Sequence, residues 1–218
     1  MKFKTEVDLV NAFIDFVKNQ YYRQNIEIFA EVNLGYGIAD IVITNMLQQS
    51  IEKHDEKLNI NDINIYDLIS KHKSGINFND ISIILRSKKK TINDSLSKLL
   101  NAQFIVEFNG LYLLNNHYTL PFKNNFAIEA KLKDWKKALK QAYRYKWFAE
   151  YSFVVIDEYY SNKAVENLDI FKKYNIGLVT FSSENGLKRY YYPKAEEPYD
   201  KKMQMLLSEM VIHHEFAK

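Results

Sequence analysis

Apolar positions recur with a helical period near the start of the chain and with a two-residue period just after it. Apolar side chains at near-helical spacing over residues 4–19 predict an amphipathic helix, and Thr5 with Asp8 has the form of a weak capping box at its start. Residues 26–33 alternate between apolar and polar, while residues 38–44 are almost entirely apolar. The first pattern is typical of a half-buried strand and the second of a strand buried on both faces. We therefore expect a helix followed by two strands.

A similar mixture of patterns returns after Pro121. Short apolar runs predict strands at residues 125–132, 153–157, 176–181 and 186–192, and helical spacing predicts helices at residues 134–150, 163–174 and 199–216. Strands that alternate with helices are typical of an α/β fold.

The segment between these two regions has a different texture. It contains three short helical patterns and then a hairpin around Asn109-Gly110, a strong turn signal. Three helices followed by a hairpin, over about residues 60–116, resemble the winged helix-turn-helix of bacterial transcription regulators. The sequence therefore predicts one α/β domain of residues 1–45 and 120–218, interrupted by an inserted module of residues 46–119.

Composition narrows the possible chemistry. The 218 residues are 47% hydrophobic and 26% charged, as expected of a globular chain, and a net charge of +3 does not by itself indicate nucleic-acid binding. The absence of cysteine excludes disulfides, zinc–thiolate sites and thiol nucleophiles. No stretch approaches the ~20 apolar residues of a membrane helix, and the start of the chain does not resemble a secretory signal. We expect a soluble, cytoplasmic protein with no membrane partner.

Two acidic residues and a lysine fall within predicted strands. Asp40 lies in the apolar run 38–44, and Glu129 and Lys131 lie in the run 125–132, where residues two apart share a face. Two carboxylates can hold Mg²⁺ or Mn²⁺, which activates water and polarises a phosphate. A neighbouring lysine can orient that water or stabilise developing charge. Because acidic-x-Lys spacings also occur in predicted loops and helices of this chain, the alternative is a plain salt bridge between Glu129 and Lys131.

These residues resemble the motif of the PD-(D/E)XK nuclease superfamily, which has the restriction-endonuclease-like fold of a mixed sheet flanked by helices. The resemblance covers residues 5–45 and 120–181. It implies a Mg²⁺- or Mn²⁺-dependent DNA endonuclease in which Asp40 and Glu129 bind the metal and Lys131 assists. It also implies a further acidic residue, matched by Glu6, products with 5′-phosphate and 3′-hydroxyl ends, and a homodimer for cutting both strands.

The resemblance has two departures. Ala39 precedes Asp40 where the family name implies proline, and the gap between Asp40 and Glu129 is long, which the inserted module explains. Restriction or other defence, DNA repair and mobile-element processing are the roles that it suggests.

A basic helix is predicted directly after Lys131. Its candidates for phosphate contact are Lys133, Lys137 and Arg144, with a solvated helix face as the alternative. Gln141 and Tyr145 form a Gln-x-x-x-Tyr pattern similar to that of nuclease domains of recombination helicases in the same superfamily. That similarity implies that Gln141 reaches toward the active site, whereas the alternative is an exposed amide beside a half-buried tyrosine.

The inserted module has its own candidates for DNA contact. In a winged helix the third helix enters the major groove. The candidates are Lys88, Lys89 and Lys90, in the segment that joins the second and third predicted helices, and Thr91 and Asn93 at the start of the third. The lysines suit phosphates and Asn93 suits adenine edges, in double-stranded DNA. The alternative is a module that binds protein or only braces the fold.

Three other functions remain open at this stage. The chain could be a DNA-binding regulator on a nuclease-like scaffold, an RNA-directed nuclease or an assembly subunit. The run His213-His214-Glu215 is interpreted as a surface tail, because adjacent residues on a helix point apart.

Overall fold

A computed structural model of the chain describes residues 2–35, 37–47 and 54–213. Within these ranges the chain forms two compact units. The first unit holds residues 2–47 (without Tyr36) and 122–201, and the second holds residues 54–121 and 202–213. The sequence-based division differs at the C-terminus, since it places the predicted helix 199–216 in the first domain. Residues 214–216 of that helix lie outside the described residues.

The first unit contains a six-stranded mixed sheet. Its strands are β1 (Ile26–Asn33), β2 (Ile38–Met46), β6 (Phe122–Lys131), β7 (Tyr151–Asp157), β8 (Gly177–Ser182) and β9 (Gly186–Tyr191), and they lie in the order β1-β2-β6-β7-β8-β9. β6 pairs antiparallel with β2 and parallel with β7, β7 is parallel to β8, and β9 is an antiparallel edge strand. The expected α/β class, with a mixed sheet and flanking helices, is confirmed.

The helices of this unit are α1 (Glu6–Gln20), α5 (Trp135–Arg144), α6 (Asn162–Glu166) and α7 (Leu168–Tyr174). The capping box predicted for α1 is present, since Thr5 Oγ1 accepts from Asp8 N at 3.1 Å and the Asp8 carboxylate accepts from Thr5 N at 3.0 Å. The prediction of a single helix over residues 163–174 is wrong. The helix is broken at Asn167, whose amide donates to the Lys163 carbonyl at 2.8 Å, a local bond that competes with helix continuation.

The two faces of β6 have different neighbours. Ile128 and Ala130 pack into an apolar core with Leu9, Phe13 and Val17 of α1. Burial of such side chains contributes roughly 1.5–3 kcal/mol each, so α1 is held by its apolar stripe. Because side chains alternate along a strand, Glu129 and Lys131 point to the opposite face. Glu129 and Lys131 are therefore polar side chains in a part of the strand that is otherwise apolar and buried.

The second unit combines helices with a small sheet. Its elements are α2 (Ile60–Lys71), β3 (Ile76–Asn77), α3 (Phe78–Leu85), α4 (Lys89–Asn101), β4 (Ile105–Phe108), β5 (Leu111–Leu114) and α8 (Lys201–Ile212). The predicted hairpin is confirmed, and Asn109 and Gly110 take the positive φ angles of 51° and 74° that its tight turn requires. β3 was not predicted, because two residues are too few to show a pattern; it completes a sheet of order β3-β5-β4.

The core of the second unit is formed by all three helices of its first segment and by α8. Ile63, Ile69 and Leu99 are fully buried there, and Met205 and Leu206 of α8 pack against the same cluster. No helix among the described residues is both long enough and apolar enough to cross a membrane.

A candidate active site on the central strands

Strands β2 and β6 bring Asp40 and Glu129 side by side. Ile41 pairs with Ile128 in antiparallel register, so Asp40 and Glu129 occupy the next cross-strand position. Opposed residues on antiparallel strands point to the same face, and Lys131, two residues after Glu129, points there as well. The local strand geometry thus places all three side chains on one surface of the sheet.

The ammonium of Lys131 lies among three carboxyl groups. Its Nζ is 2.8 Å from Glu129 Oε1, 3.1 Å from Glu6 Oε2 and 3.6 Å from Asp40 Oδ2. We call Glu6, Asp40, Glu129 and Lys131 the charged cluster. Glu6 enters it from the first turn of α1. The salt bridge expected as the simple alternative is present, but it is one part of this larger group.

Asp40 combines a fixed oxygen with partial exposure. Its Oδ2 accepts from the backbone N–H of Ala130 at 2.7 Å, and its side chain is 27% exposed. Burial raises the pKa of the Asp40 carboxyl, although the Ala130 N–H and the Lys131 charge oppose this. Among the described residues, Oδ1 makes no hydrogen bond. Asp40 is therefore held in place and still has an oxygen to offer a ligand.

Glu129 is completely buried and is held by a tyrosine. The Tyr145 hydroxyl is hydrogen-bonded to Glu129 Oε2 and also lies 2.7 Å from the Ile38 carbonyl oxygen. One phenol hydrogen can serve only one of these two acceptors. Burial raises the pKa of the Glu129 carboxyl, although the hydrogen bonds from Lys131 and Tyr145 oppose this. Burial and the nearby Glu129 charge likewise raise the pKa of Tyr145.

Lys131 remains charged in this setting. Burial alone would lower the pKa of Lys131, but its contact with Glu129 and the charge of Asp40 outweigh that effect and raise the pKa above its ordinary value. Carboxylate oxygens are the ligands that a hard divalent cation such as Mg²⁺ or Mn²⁺ prefers, and Asp40 and Glu129 would be the ligands here.

The residues predicted on the basic helix are not part of the charged cluster, and one of them, Lys133, precedes α5. Gln141 is half-buried, and its Oε1 has no hydrogen-bond partner among the described residues. Lys133, Lys137 and Arg144 are exposed. The Arg144 guanidinium lies beside Gly37, where a Cβ would be 3.5 Å from its Cζ. Arg144 therefore lies close to the start of β2, the strand that carries Asp40.

The basic helix is shorter than the predicted residues 134–150. α5 ends at Arg144, and Lys146 lies in the 3-10 turn that follows it. Lys146 is buried, with its Nζ 2.6 Å from Glu196 and 2.7 Å from the Tyr174 carbonyl. These contacts anchor the turn, so Lys146 has no surface to offer a phosphate.

The candidate DNA-contacting residues of the second unit lie together at the start of α4. Lys88, Lys89, Lys90 and Asn93 are exposed, and Thr91 is half-buried. Lys88 occupies the N-cap position, where no side chain bonds to the first turn of the helix. The N–H groups of that turn and the lysine charges are thus presented on the same part of the surface.

Tyr145 is the residue whose importance the sequence conveys least. Its only signal is the spacing to Gln141, and the contact that matters is the one with Glu129. All the contacts described for the charged cluster and Tyr145 lie within the first unit. In comparisons with known proteins, the chain matches no protein-family model, no curated protein and no solved structure.

Proposed function

We propose that this protein is a Mg²⁺- or Mn²⁺-dependent endonuclease that hydrolyses DNA phosphodiester bonds. The observation that carries the proposal is the Lys131 ammonium, which lies among the carboxyl groups of Glu6, Asp40 and Glu129. The mixed sheet with α1 on one face and α5 on the other supports membership of the PD-(D/E)XK superfamily and its restriction-endonuclease-like fold.

Each member of the site has a role in this proposal. Asp40 and Glu129 would bind the metal ion, which polarises the phosphate and lowers the pKa of a bound water. Tyr145 keeps the buried Glu129 carboxyl in its orientation. Lys131 would orient the attacking water or stabilise the negative charge that develops on the phosphate. Glu6 reaches the same ammonium and would assist as a further acidic group.

DNA would be engaged mainly through the second unit, which we propose is a winged helix. Three helices, a hairpin and the added strand β3 support this assignment. Lysines at the start of a helix oppose the helix dipole, so Lys88, Lys89 and Lys90 do not stabilise α4. A phosphate would satisfy both the uncapped N–H groups and the lysine charges.

Cleavage of supercoiled plasmid tests the enzyme. The wild-type chain should nick or linearise the plasmid with Mg²⁺ or Mn²⁺ and should be inactive with a chelator. Lys131→Met should lower the rate by about 100-fold or more, since it removes a preorganised charge at the reaction centre. Agarose electrophoresis over time measures the rate. Linearisation without accumulated nicks would also support a homodimer, because each strand needs its own site.

A lysine outside the charged cluster provides the control. Lys172→Met removes a half-exposed side chain of α7, 3.6 Å from Asp169, and should leave the rate unchanged. Equal rates for wild type and Lys131→Met would exclude the proposed site. A wild type that binds DNA but cuts neither DNA nor RNA with any metal would favour a non-enzymatic regulator. Cleavage of RNA alone would identify an RNA-directed nuclease.

The salt dependence of binding tests the proposed DNA contact of α4. In Lys89→Gln/Lys90→Gln the slope of log K against log salt should fall in magnitude by about 0.9 for each phosphate that is no longer neutralised. Fluorescence anisotropy with duplex DNA in a chelator measures it without cleavage. The matched double variant Lys71→Gln/Lys73→Gln removes two exposed lysines of the same unit and should keep the slope. Equal changes in both variants would show that α4 has no special role in binding DNA.

A further inference from the structure

A second group of metal-binding side chains lies in the second unit. His54 Nε2 is 3.0 Å from Glu209 Oε1, and His213 Nε2 is 3.7 Å from Glu209 Oε2. The three donor atoms lie within 4.8 Å of one another. Glu209 is fully buried, His54 is 10% exposed and His213 is 22% exposed at the side chain. The group is therefore a nearly enclosed cluster with one side that faces water.

Helix α8 supplies two of the three side chains. Glu209 and His213 are four residues apart, and the N–H of His213 donates to the Glu209 carbonyl at 3.0 Å. Side chains at this spacing share one face of a helix. This contradicts the interpretation of His213 as part of a surface tail; the rest of that run, His214 and Glu215, lies outside the described residues.

The Glu209 carboxylate is held in one orientation by two hydrogen bonds. The backbone N–H of Leu58 donates to Oε2 at 2.7 Å, and the Tyr118 hydroxyl donates to Oε1 at 2.6 Å. Outer groups that fix a carboxylate in this way are a regular feature of metal sites, where they orient the ligand and tune its basicity.

The ring of His54 is also fixed, from its other side. Its Nδ1 lies 2.5 Å from the Glu56 carbonyl oxygen, which can only accept, so Nδ1 carries a hydrogen. In the neutral ring Nε2 then presents a lone pair to Glu209 Oε1. Two acceptors at this distance repel each other unless a cation or a proton lies between them. A backbone carbonyl that orients the ring is the usual arrangement for a metal-binding histidine.

We propose that His54, Glu209 and His213 form a Zn²⁺ site with a water molecule as the fourth ligand. Zinc bonds of about 2.0–2.2 Å in a tetrahedron separate the ligand atoms by about 3.3–3.5 Å. The two histidine nitrogens lie 3.0 Å and 3.7 Å from different oxygens of Glu209, so a small shift of these side chains would bring all three to one ion. Two imidazoles and one carboxylate favour zinc, whereas the all-oxygen charged cluster favours Mg²⁺. The ion would fasten the segment before α2 to α8 and would stabilise the second unit.

Zinc titration of the full chain tests this site. Protein stripped with a chelator should bind one Zn²⁺ per chain in isothermal titration calorimetry, and elemental analysis after gel filtration should find the same ratio. His54→Ala and His213→Ala should each weaken the affinity by about 100-fold or more, and Tyr118→Phe by about 10-fold. His72→Ala removes an exposed histidine of the same unit and should have no effect.

Thermal unfolding separates a missing ligand from a damaged fold. Stripped His213→Ala should unfold at nearly the temperature of stripped wild type, and only wild type should gain stability on addition of zinc. A wild type that binds no zinc, or variants that bind it as well as wild type does, would overturn the proposal. In the first case the cluster is a protonated His54 paired with Glu209. A Mg²⁺ response equal to the zinc response would also overturn it.

Discussion

Replacement of Asp40 by asparagine should reduce metal-dependent DNA cleavage by about three orders of magnitude or more. The side chain keeps its size, and the asparagine oxygen can still accept the Ala130 N–H bond of 2.7 Å, so the strands should remain paired. The substitution removes the negative charge and the free carboxylate oxygen, and with them the affinity for a hard divalent ion. A thousandfold loss corresponds to about 4 kcal/mol of transition-state stabilisation, within the range for a metal ion acting as a Lewis acid.

The rate of plasmid cleavage at saturating Mn²⁺ measures this effect, and calorimetry with Mn²⁺ measures the loss of binding. Asp169→Asn changes the net charge equally at a side chain that is 98% exposed, and it should retain the wild-type rate. If Asp40→Asn cleaves at the wild-type rate while Lys131→Met does not, the metal ligands lie elsewhere. A matched unfolding curve is needed to show that the variant is folded.

Replacement of Glu209 by alanine should destabilise the second unit by about 3–5 kcal/mol, even in metal-free protein. The substitution leaves the buried N–H of Leu58 without its acceptor and removes the carboxylate from the Tyr118 hydroxyl, which keeps only Ser208 Oγ at 2.9 Å. Each of these two losses costs about 1–3 kcal/mol. Hydrogen exchange of the buried amides of α2 and α4 in the presence of a chelator should accelerate by about 100-fold or more.

Two variants calibrate this result. Tyr118→Phe removes one hydrogen bond to the same carboxylate and should cost about 1 kcal/mol. Glu107→Ala removes an exposed glutamate of β4 and should change the free energy of unfolding by no more than about 0.5 kcal/mol. An unchanged exchange rate in Glu209→Ala would mean that these two bonds do not stabilise the unit. It would leave the zinc proposal untouched, since zinc binding is measured separately.

The charged cluster was largely foreseeable, because its key features are local. The side chains of Glu129 and Lys131 share a face through the two-residue period of any strand, and Asp40 stands out as a carboxylate inside an apolar run. The bounds of β1 agree with the predicted residues 26–33, since alternation there is regular. What could not be foreseen is that β2 and β6 are neighbours, since the pairing of Asp40 with Glu129 joins strands on either side of the inserted segment.

The His54–Glu209–His213 cluster, in contrast, could not be predicted from the sequence. His54 lies in a polar stretch without a periodic pattern, and Glu209 follows it by about 155 positions on another element. Neither spacing nor composition indicates that these two residues are in contact. Only the packing of α8 in the second unit brings them together. The break of the helix at Asn167 was missed because the helical spacing of apolar residues continues on both sides of it, and the bond from the Asn167 amide to the Lys163 carbonyl leaves no mark in that spacing.

The pairing at the ends of β2 and β6 bears on how such a chain can be rearranged. Met46 and Phe122 are cross-strand partners, so the insertion leaves and re-enters the sheet at points only about 5 Å apart, as would a short hairpin loop. Modules exchanged at such a junction would leave the sheet intact. Here, however, α8 also belongs to the second unit, with Met203, Leu207 and Val211 buried. A transplant that replaced only the insertion would leave the apolar face of α8 without its partners, so α8 would have to be moved together with the rest of the second unit.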